Sequence, residues 1–136
     1  MKKYLAVMRR PIFFVLINFF LVNTLLAFLP YSLGDILYNI GRICIIFYAG
    51  WFVIKKKVGG IWQAASTGAG IYFIDHVLLK GGIFLLNYLL KPQGLGLAAF
   101  GGVLVSFIIF VPLAMLIGAL GGLVARSWQE TTVKSL

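Results

Sequence analysis

Long apolar runs separated by short polar segments fill almost all of this chain. A helix needs about 20 mainly apolar residues to cross about 30 Å of hydrocarbon. The runs predict four such helices, with spans at residues 11–31, 36–54, 61–82 and 101–125. Short links make consecutive helices antiparallel. The predicted fold class is all-α, an integral membrane bundle of four transmembrane helices that forms a single membrane domain over residues 1–136.

Prolines and glycines set the predicted boundaries. Pro11 suits the first turn of a helix, where its missing N–H costs nothing, and Pro30 falls where the first helix should stop. The paired glycines at 81 and 82 predict a break or kink in the third run, and the glycine-rich segment 94–102 predicts a loop or interfacial approach to the fourth. Pro112 lies inside the fourth span, where neighbouring helices can re-satisfy the freed carbonyl.

A cleaved signal peptide is the alternative interpretation of the first span. Basic residues precede this apolar run, but the run is longer than the roughly 7–15 apolar residues of a signal core. The segment Ala27-Phe28-Leu29 is also a poor cleavage site. We therefore expect a retained helix.

Composition supports the membrane class. Of the 136 residues, 62% are apolar and 11% are charged, and the mean hydropathy is +1.04. Soluble domains carry about 45–50% apolar and about 25% charged residues, and disorder needs low hydrophobicity. A soluble globular fold and a disordered chain are therefore excluded. The single cysteine excludes a disulfide framework or a multi-cysteine metal site.

The basic residues predict an orientation. Four precede the first span, three lie between the second and third, two follow the fourth, and only Lys91 lies at the opposite end. Basic loops stay in the cytoplasm, so both termini are expected inside a bacterial-type cytoplasmic membrane. The net charge of +9 then indicates attraction to anionic headgroups of the bilayer. No nucleic-acid partner is expected, because the cations lie at helix ends rather than on one basic face.

Charged residues inside the spans are the candidate site. Each costs about 2.5–3.5 kcal/mol at a helix centre and needs a partner or a watery cavity. A rise of 1.5 Å per residue places Arg42, Asp75 and Asn23 at nearly one depth, which predicts a buried Arg42–Asp75 ion pair with Asn23 close by. Further polar side chains share helix faces with this pair by their spacing. The predicted intramembrane polar cluster comprises Asn23, Asn39, Arg42, Asp75, His76 and Lys80.

The role of this cluster stays open at this stage. Ion pairs of this kind can fix helix register, or they can belong to a relay or a headgroup site. We expect either a polar cleft open to the outside or a compact charge network. His76 could titrate near neutral pH, although a lone histidine is more often a packing residue. Asn18 lies at a shallower level and is expected to form a separate hydrogen bond between helices.

Small residues recur every fourth position on two helices. This spacing lets another helix backbone approach closely, either within the chain or in a second copy. The residues predicted to pack are Ala114, Gly118 and Gly122 on the fourth helix and Ala64 and Gly68 on the third. A similar ridge of Ala98 and Gly102 begins the fourth run.

The pattern contains no nucleophile with a base and an orienting acid, and no spacing suited to zinc. We therefore expect a non-enzymatic protein without cofactor or metal. The first functional hypothesis is an accessory or assembly component that acts through helix packing with another membrane protein or a second copy. The alternative is a small ion- or proton-coupled transporter or channel with an outward-facing polar cleft at Arg42, Asp75, His76 and Lys80. Lipid-headgroup binding by the same residues is a third hypothesis.

Overall fold

The computed structural model describes residues 2–25, 28, 30–91 and 96–134, and none of these forms a β-strand. Its helices are α1 (Lys2–Leu25), α2 (Tyr31–Lys55), α3 (Ile61–Phe73), α4 (Gly82–Leu90) and α5 (Gly96–Lys134). A π-helical segment, Ile74–Gly81, joins α3 to α4 without interruption. The three together form one rod from Ile61 to Leu90.

Four rods in the described part of the chain are long and apolar enough to cross a membrane. They are Ala6–Leu25, Ser32–Lys55, Ile61–Leu90 and Ala98–Thr131. Large apolar side chains cover their outer surfaces, among them Phe20 at 64% exposure and Ile108 at 71%. Apolar area in water is unfavourable by about 25 cal/mol per Å², whereas hydrocarbon imposes no such penalty. The all-helical fold with four apolar rods is therefore compatible with a small multi-pass membrane protein.

The first helix differs from its predicted span at both ends. It begins at Lys2 and ends at Leu25, and Tyr31 already belongs to α2. Pro11 is buried inside α1 rather than in its first turn. A proline removes a single intrahelical hydrogen bond, so the helix continues through it. Pro30 lies directly before the first residue of α2, where its missing N–H removes no intrahelical hydrogen bond. The start of α2 therefore lies five residues before the predicted residue 36.

The glycines of the third rod do not break it. Gly81 and Gly82 keep helical angles, and the rod continues beyond the predicted residue 82 to Leu90. A Cβ added at Gly81 would lie 3.2 Å from atoms of Phe100 and Val103. The absence of a side chain at Gly81 therefore allows α5 to pack closely on this rod. The irregular part of this rod is the π-helical segment, which ends at Gly81.

The last helix is also longer than its predicted span of residues 101–125. Its 39 residues measure about 58 Å at 1.5 Å per residue, more than the roughly 30 Å of hydrocarbon. The glycines at 101 and 102, predicted to lie in a loop or interfacial approach, belong to the helix, and Pro112 lies within it as expected. The predicted turn at residues 92–94 lies outside the described residues.

Small residues allow α5 to pack closely on both α2 and α3. A Cβ added at Gly68 would collide with the carbonyl oxygen of Ala114, and one at Gly118 would lie 2.5 Å from the carbonyl oxygen of Ala64. A Cβ at Gly122 would lie 2.8 Å from the Cβ of Ala64. All five residues predicted to pack therefore lie between α3 and α5 of the same chain. On the α2 side, Gly50 and Gly121 meet the backbones of Gly118 and Phe47.

The other predicted small-residue ridge has no partner helix among the described residues. Nothing lies within 4 Å of a Cβ added at Gly101 or Gly102, and Ala98 is exposed. These three residues therefore do not form a close helix contact in the described part of the chain, although Phe100 between them packs on Gly81.

The two ends of the bundle differ in chemistry. At the basic end, the α2–α3 loop and Arg126 surround one cavity, and Gln129 reaches the carbonyl oxygen of Lys55. At the other end, which we call the cleft end, the last turns of α1 and the first turns of α2 lie beside α4. The half of the bundle nearer the basic end is tightly packed, because Ala49, Val53 and Ala64 have no exposed surface.

Candidate functional site

A buried ion pair joins α2 to the π-helical segment. Arg42 Nη1 lies 3.7 Å from Asp75 Oδ2, with side-chain exposures of 18% and 2%. The sequence predicted this pair from the equal depth of the two residues along their helices, and the structure brings them together. Asp75 is one of the most completely buried side chains described, so its charge depends on partners supplied by the protein.

Tyr38 is the second partner of Asp75. Its hydroxyl donates a 2.5 Å hydrogen bond to Asp75 Oδ1. The Tyr38 ring also lies near two cations, at 5.8 Å from Arg42 Cζ and 5.4 Å from Lys80 Nζ, measured to the ring centroid. Cations are attracted to the face of an aromatic ring within about 6 Å. Tyr38 therefore contacts Asp75, Arg42 and Lys80.

Two further contacts hold the guanidinium of Arg42. Its Nη2 donates to Asn39 Oδ1, and its Cζ lies 5.0 Å from the centroid of the Tyr72 ring. Asn39 in turn donates to the carbonyl oxygen of Asp35. The predicted common face of α2 thus carries one chain of contacts from Asp35 to Arg42, and Asn39 belongs to the cluster through Arg42.

The two asparagines of α1 have different roles. Asn18 donates a 3.3 Å hydrogen bond to the carbonyl oxygen of Tyr38 and lies against Gly41, so it joins α1 to α2. This is the separate interhelical hydrogen bond that its position predicted. Asn23 does not contact Arg42 or Asp75; its amide donates to Phe19 of its own helix. Equal depth did not bring Asn23 into the ion pair, because its side chain lines the cleft and bonds back to its own helix.

His76 lies beside the ion pair without joining it. Its ring stacks on Tyr72 with centroids 5.0 Å apart and planes 10° from parallel. Tyr72 stacks in turn on Phe107 of α5. Neither ring nitrogen of His76 has a hydrogen-bond partner in the described part of the chain, although both are enclosed. The contacts of His76 are therefore those of a packed aromatic ring.

Lys80 and Asp35 line a cleft at the cleft end of the bundle. The cleft has a volume of about 200 Å³, where about 10–15 Å³ suffices for one water molecule. Its apolar walls come from α1 and α4. The lining residues are Phe19, Val22, Asn23, Gly34, Asp35, Tyr38, Lys80, Ile83 and Phe84.

The structure shows features of both arrangements expected from the sequence, a polar cleft and a charge network that is only partly formed. Arg42 and Asp75 pair directly, whereas Asp35 has no ion pair within 4 Å among the described residues. Lys80 contacts the Tyr38 ring rather than a carboxylate. The charges therefore divide into a buried pair and two cleft-lining groups, with Tyr38 between them.

The π-helical segment explains how one short stretch supplies three of these side chains. Asp75, His76 and Lys80 all lie within Ile74–Gly81. A π-helix forms i→i+5 hydrogen bonds and rotates side chains relative to a regular α-helix, and such insertions are frequent at functional sites. The rotation turns Asp75 toward α2, while Lys80 reaches the cleft.

Sequence reasoning missed Tyr38 as a site residue. Its role as the link between cleft and ion pair depends on the lateral position of α2 against the π-helical segment, which the pattern along the chain does not give. Tyr38 lies four residues before Arg42 on the same helix face, and this spacing was the signal in the sequence that could have identified it. The aromatic walls, Phe19 and Phe84, gave no signal among the many phenylalanines of the chain.

Metal binding has no geometric support among the described residues, where no three histidine, cysteine, aspartate or glutamate side chains come together. No protein-family model, curated protein or solved structure matches this chain. The cleft and the ion pair beside it are therefore the features of this chain that bear on its function.

Proposed function

We propose that this chain is a non-enzymatic multi-pass protein of a bacterial-type cytoplasmic membrane, with both termini on the cytoplasmic side. The distribution of basic residues supports this orientation, because three consecutive lysines span the end of α2 and the start of the α2–α3 loop, and Arg126 lies at the same end. The three tryptophans lie at that end as well, and Trp62 and Trp128 are 79% and 68% exposed. Indole rings favour the membrane–water interface.

The proposed activity is reversible binding of a small polar group in the cleft, from the side opposite the basic loops. The observation that carries this proposal is the combination of a cleft with charged lining and a buried ion pair connected to it through Tyr38. A helix bundle that needed only rigidity would be served as well by apolar side chains, because a buried ion pair is weak support for stability. Binding explains why charged groups are retained there.

The tightly packed half of the bundle favours binding over an open pore. Beyond the ion pair toward the basic end, Ile71 and Val53 are fully buried, and the glycine contacts bring α5 against α2 and α3. A channel or transporter would need a second conformation that opens this half. Binding is therefore proposed first, and ion- or proton-coupled transport would require this additional conformational change.

Cysteine accessibility tests both orientation and cleft. In a Cys44→Ser background, a cysteine at Lys91 should react with a membrane-impermeant maleimide in intact cells, whereas one at Lys57 should react only after permeabilisation. Within the membrane, Asn23→Cys should react with a charged methanethiosulfonate at least tenfold faster than Leu21→Cys. Leu21 is the matched control because it lies at nearly the same depth on the exposed apolar face of α1.

Equal slow labelling at positions 21 and 23 would contradict a water-accessible cleft. Labelling at position 57 but not at 91 in intact cells would contradict the orientation. A panel of small polar compounds can then be screened for protection of the cysteine at position 23.

An accessory role through helix packing is the second candidate. Only 17% of the most apolar window of α5 is buried, the lowest share of the four rods. A partner helix could cover this surface, although lipid satisfies it equally. Crosslinking from single cysteines at Ile108 and Leu116 tests this candidate: discrete crosslinked products support a specific partner, and their absence leaves the surface to lipid.

A further inference from the structure

We propose that the cleft binds a zwitterion, a group that joins an ammonium to an acidic phosphate or carboxylate through a short linker. This inference rests on the proposed binding function and names its ligand class. Asp35 and Lys80 line the same cleft, yet no ion pair joins them or ties Asp35 to another cation in the described chain. Two opposite charges held apart in one cavity match a ligand with the complementary pair of charges.

The partners of each charge support this assignment. Asp75 is already held by Arg42 and Tyr38, so it is committed to the buried pair. Lys80 lies over the Tyr38 ring and has donors to offer an anion. On the other side, Asn23 uses its amide nitrogen for Phe19, which leaves its carbonyl oxygen to accept from an ammonium beside Asp35.

A ligand with one kind of charge fits this cleft less well. An anion that pairs with Lys80 lies in the same cavity as the Asp35 carboxylate, and a simple cation meets the Lys80 ammonium. Like charges brought together in this way discriminate against the wrong ligand. A zwitterion meets an attractive partner at both ends, and its zero net charge matches the balanced charge of Asp35 and Lys80.

The size of the cleft favours a small group. Its volume of about 200 Å³ is below the roughly 300–1,000 Å³ of pockets that hold drug-sized ligands. A phosphoethanolamine-like group is suitable, either as the headgroup of a lipid or as a free solute. The aromatic walls at Phe19 and Phe84 then contact the apolar part of the linker or the start of an acyl chain.

Titration calorimetry on the wild-type protein in maltoside micelles tests the ligand class. The probes are glycerophosphoethanolamine (a free phosphodiester of zero net charge), short-chain phosphatidylethanolamine, inorganic phosphate, short-chain phosphatidylglycerol and ethanolamine. We expect the zwitterionic member to bind at least tenfold more tightly than the matched anion or cation. Preference for the lipid form identifies a headgroup site, and equal affinity for the free form identifies a solute site. Equal affinity for phosphatidylglycerol and phosphatidylethanolamine would overturn the inference.

Variants assign the two ends of the ligand. Lys80→Gln and Asp35→Asn should each weaken binding of the zwitterion at least tenfold. Asp35→Asn should leave phosphate binding unchanged or stronger, because it removes a like charge. The matched controls are Lys91→Gln, an exposed cation outside the cleft, and Glu130→Gln at the basic end; both should bind as the wild type does. The comparison of probes on the wild type holds even if a variant fails to fold.

The outcomes separate this inference from the proposed function. If Asn23→Cys is water-accessible but none of the probes is preferred, the ligand class is wrong while the cleft remains a binding site. If Asn23→Cys reacts no faster than Leu21→Cys, both proposals fall.

Discussion

Removing Arg42 should destabilise the fold more than removing Asp75, although the two form one ion pair. At 3.7 Å between Nη1 and Oδ2, the attraction is about 4.5 kcal/mol at an effective dielectric constant of about 20. Arg42→Gln leaves a carboxylate of 2% exposure without its cation, and breaking a buried pair in this way costs about 3–5 kcal/mol. Asp75→Asn keeps an acceptor for Tyr38, while Arg42 keeps Asn39 and two aromatic faces. Its expected cost is about 1–2 kcal/mol.

Unfolding in mixed micelles by increasing dodecyl sulfate, followed by tryptophan fluorescence, measures both single variants and the double variant. The cycle should give a coupling of at least about 1 kcal/mol, since contacting residues couple by about 0.5–3 kcal/mol. The matched control is Arg126 with Glu130, an ion pair of the same charge types with 65% and 62% exposure. That pair should couple by less than about 0.5 kcal/mol. A larger loss for Asp75→Asn than for Arg42→Gln, or equal coupling in both pairs, would refute the reasoning.

Three further predictions use the same assay. Tyr38→Phe removes the hydroxyl that donates to Asp75 and should cost about 1.5–3 kcal/mol, as for hydrogen bonds to charged groups; no loss would mean that the hydroxyl is not bonded. Gly118→Leu should cost at least about 2 kcal/mol by overpacking against α3, while Gly102→Leu, in open space, should stay within about 0.5 kcal/mol; similar losses would contradict the close approach. Asn18→Ala should cost only about 0.6 kcal/mol, the average for hydrogen bonds between membrane helices, and a loss above about 2 kcal/mol would indicate a larger role for this contact.

Much of the architecture follows from local pattern. Hydropathy adds up along the chain, so the four apolar rods were predictable without any contact between them. Their ends were less predictable: Pro11 does not begin a helix, and the glycines at 81 and 82 do not end one. In both cases the flanking apolar run outweighs a residue whose intrinsic preference opposes the helix.

The candidate site was predictable in depth but not in direction. A rise of 1.5 Å per residue places Arg42 beside Asp75, and the structure has them 3.7 Å apart. The same rule places Asn23 at this depth, yet its amide bonds to its own helix. Which way a side chain faces depends on rotation of each helix about its axis, and the π-helical segment changes that rotation for Asp75, His76 and Lys80 together.

The sequence by itself determined that the chain forms four rods long and apolar enough to cross a membrane, because 62% of its residues are apolar and lie in four long runs that favour hydrocarbon as their solvent. It also determined which charged residues inside the rods need a partner or a watery cavity. Only the tertiary structure decided that the small residues of α3 and α5 pack within one chain, that Tyr38 links the ion pair to a cleft, and that Asp35 and Lys80 line this cleft without pairing. The physical reason is that the apolar or polar character of a helix follows from its own residues. Which side chains contact one another depends instead on how helices distant in the chain are arranged side by side.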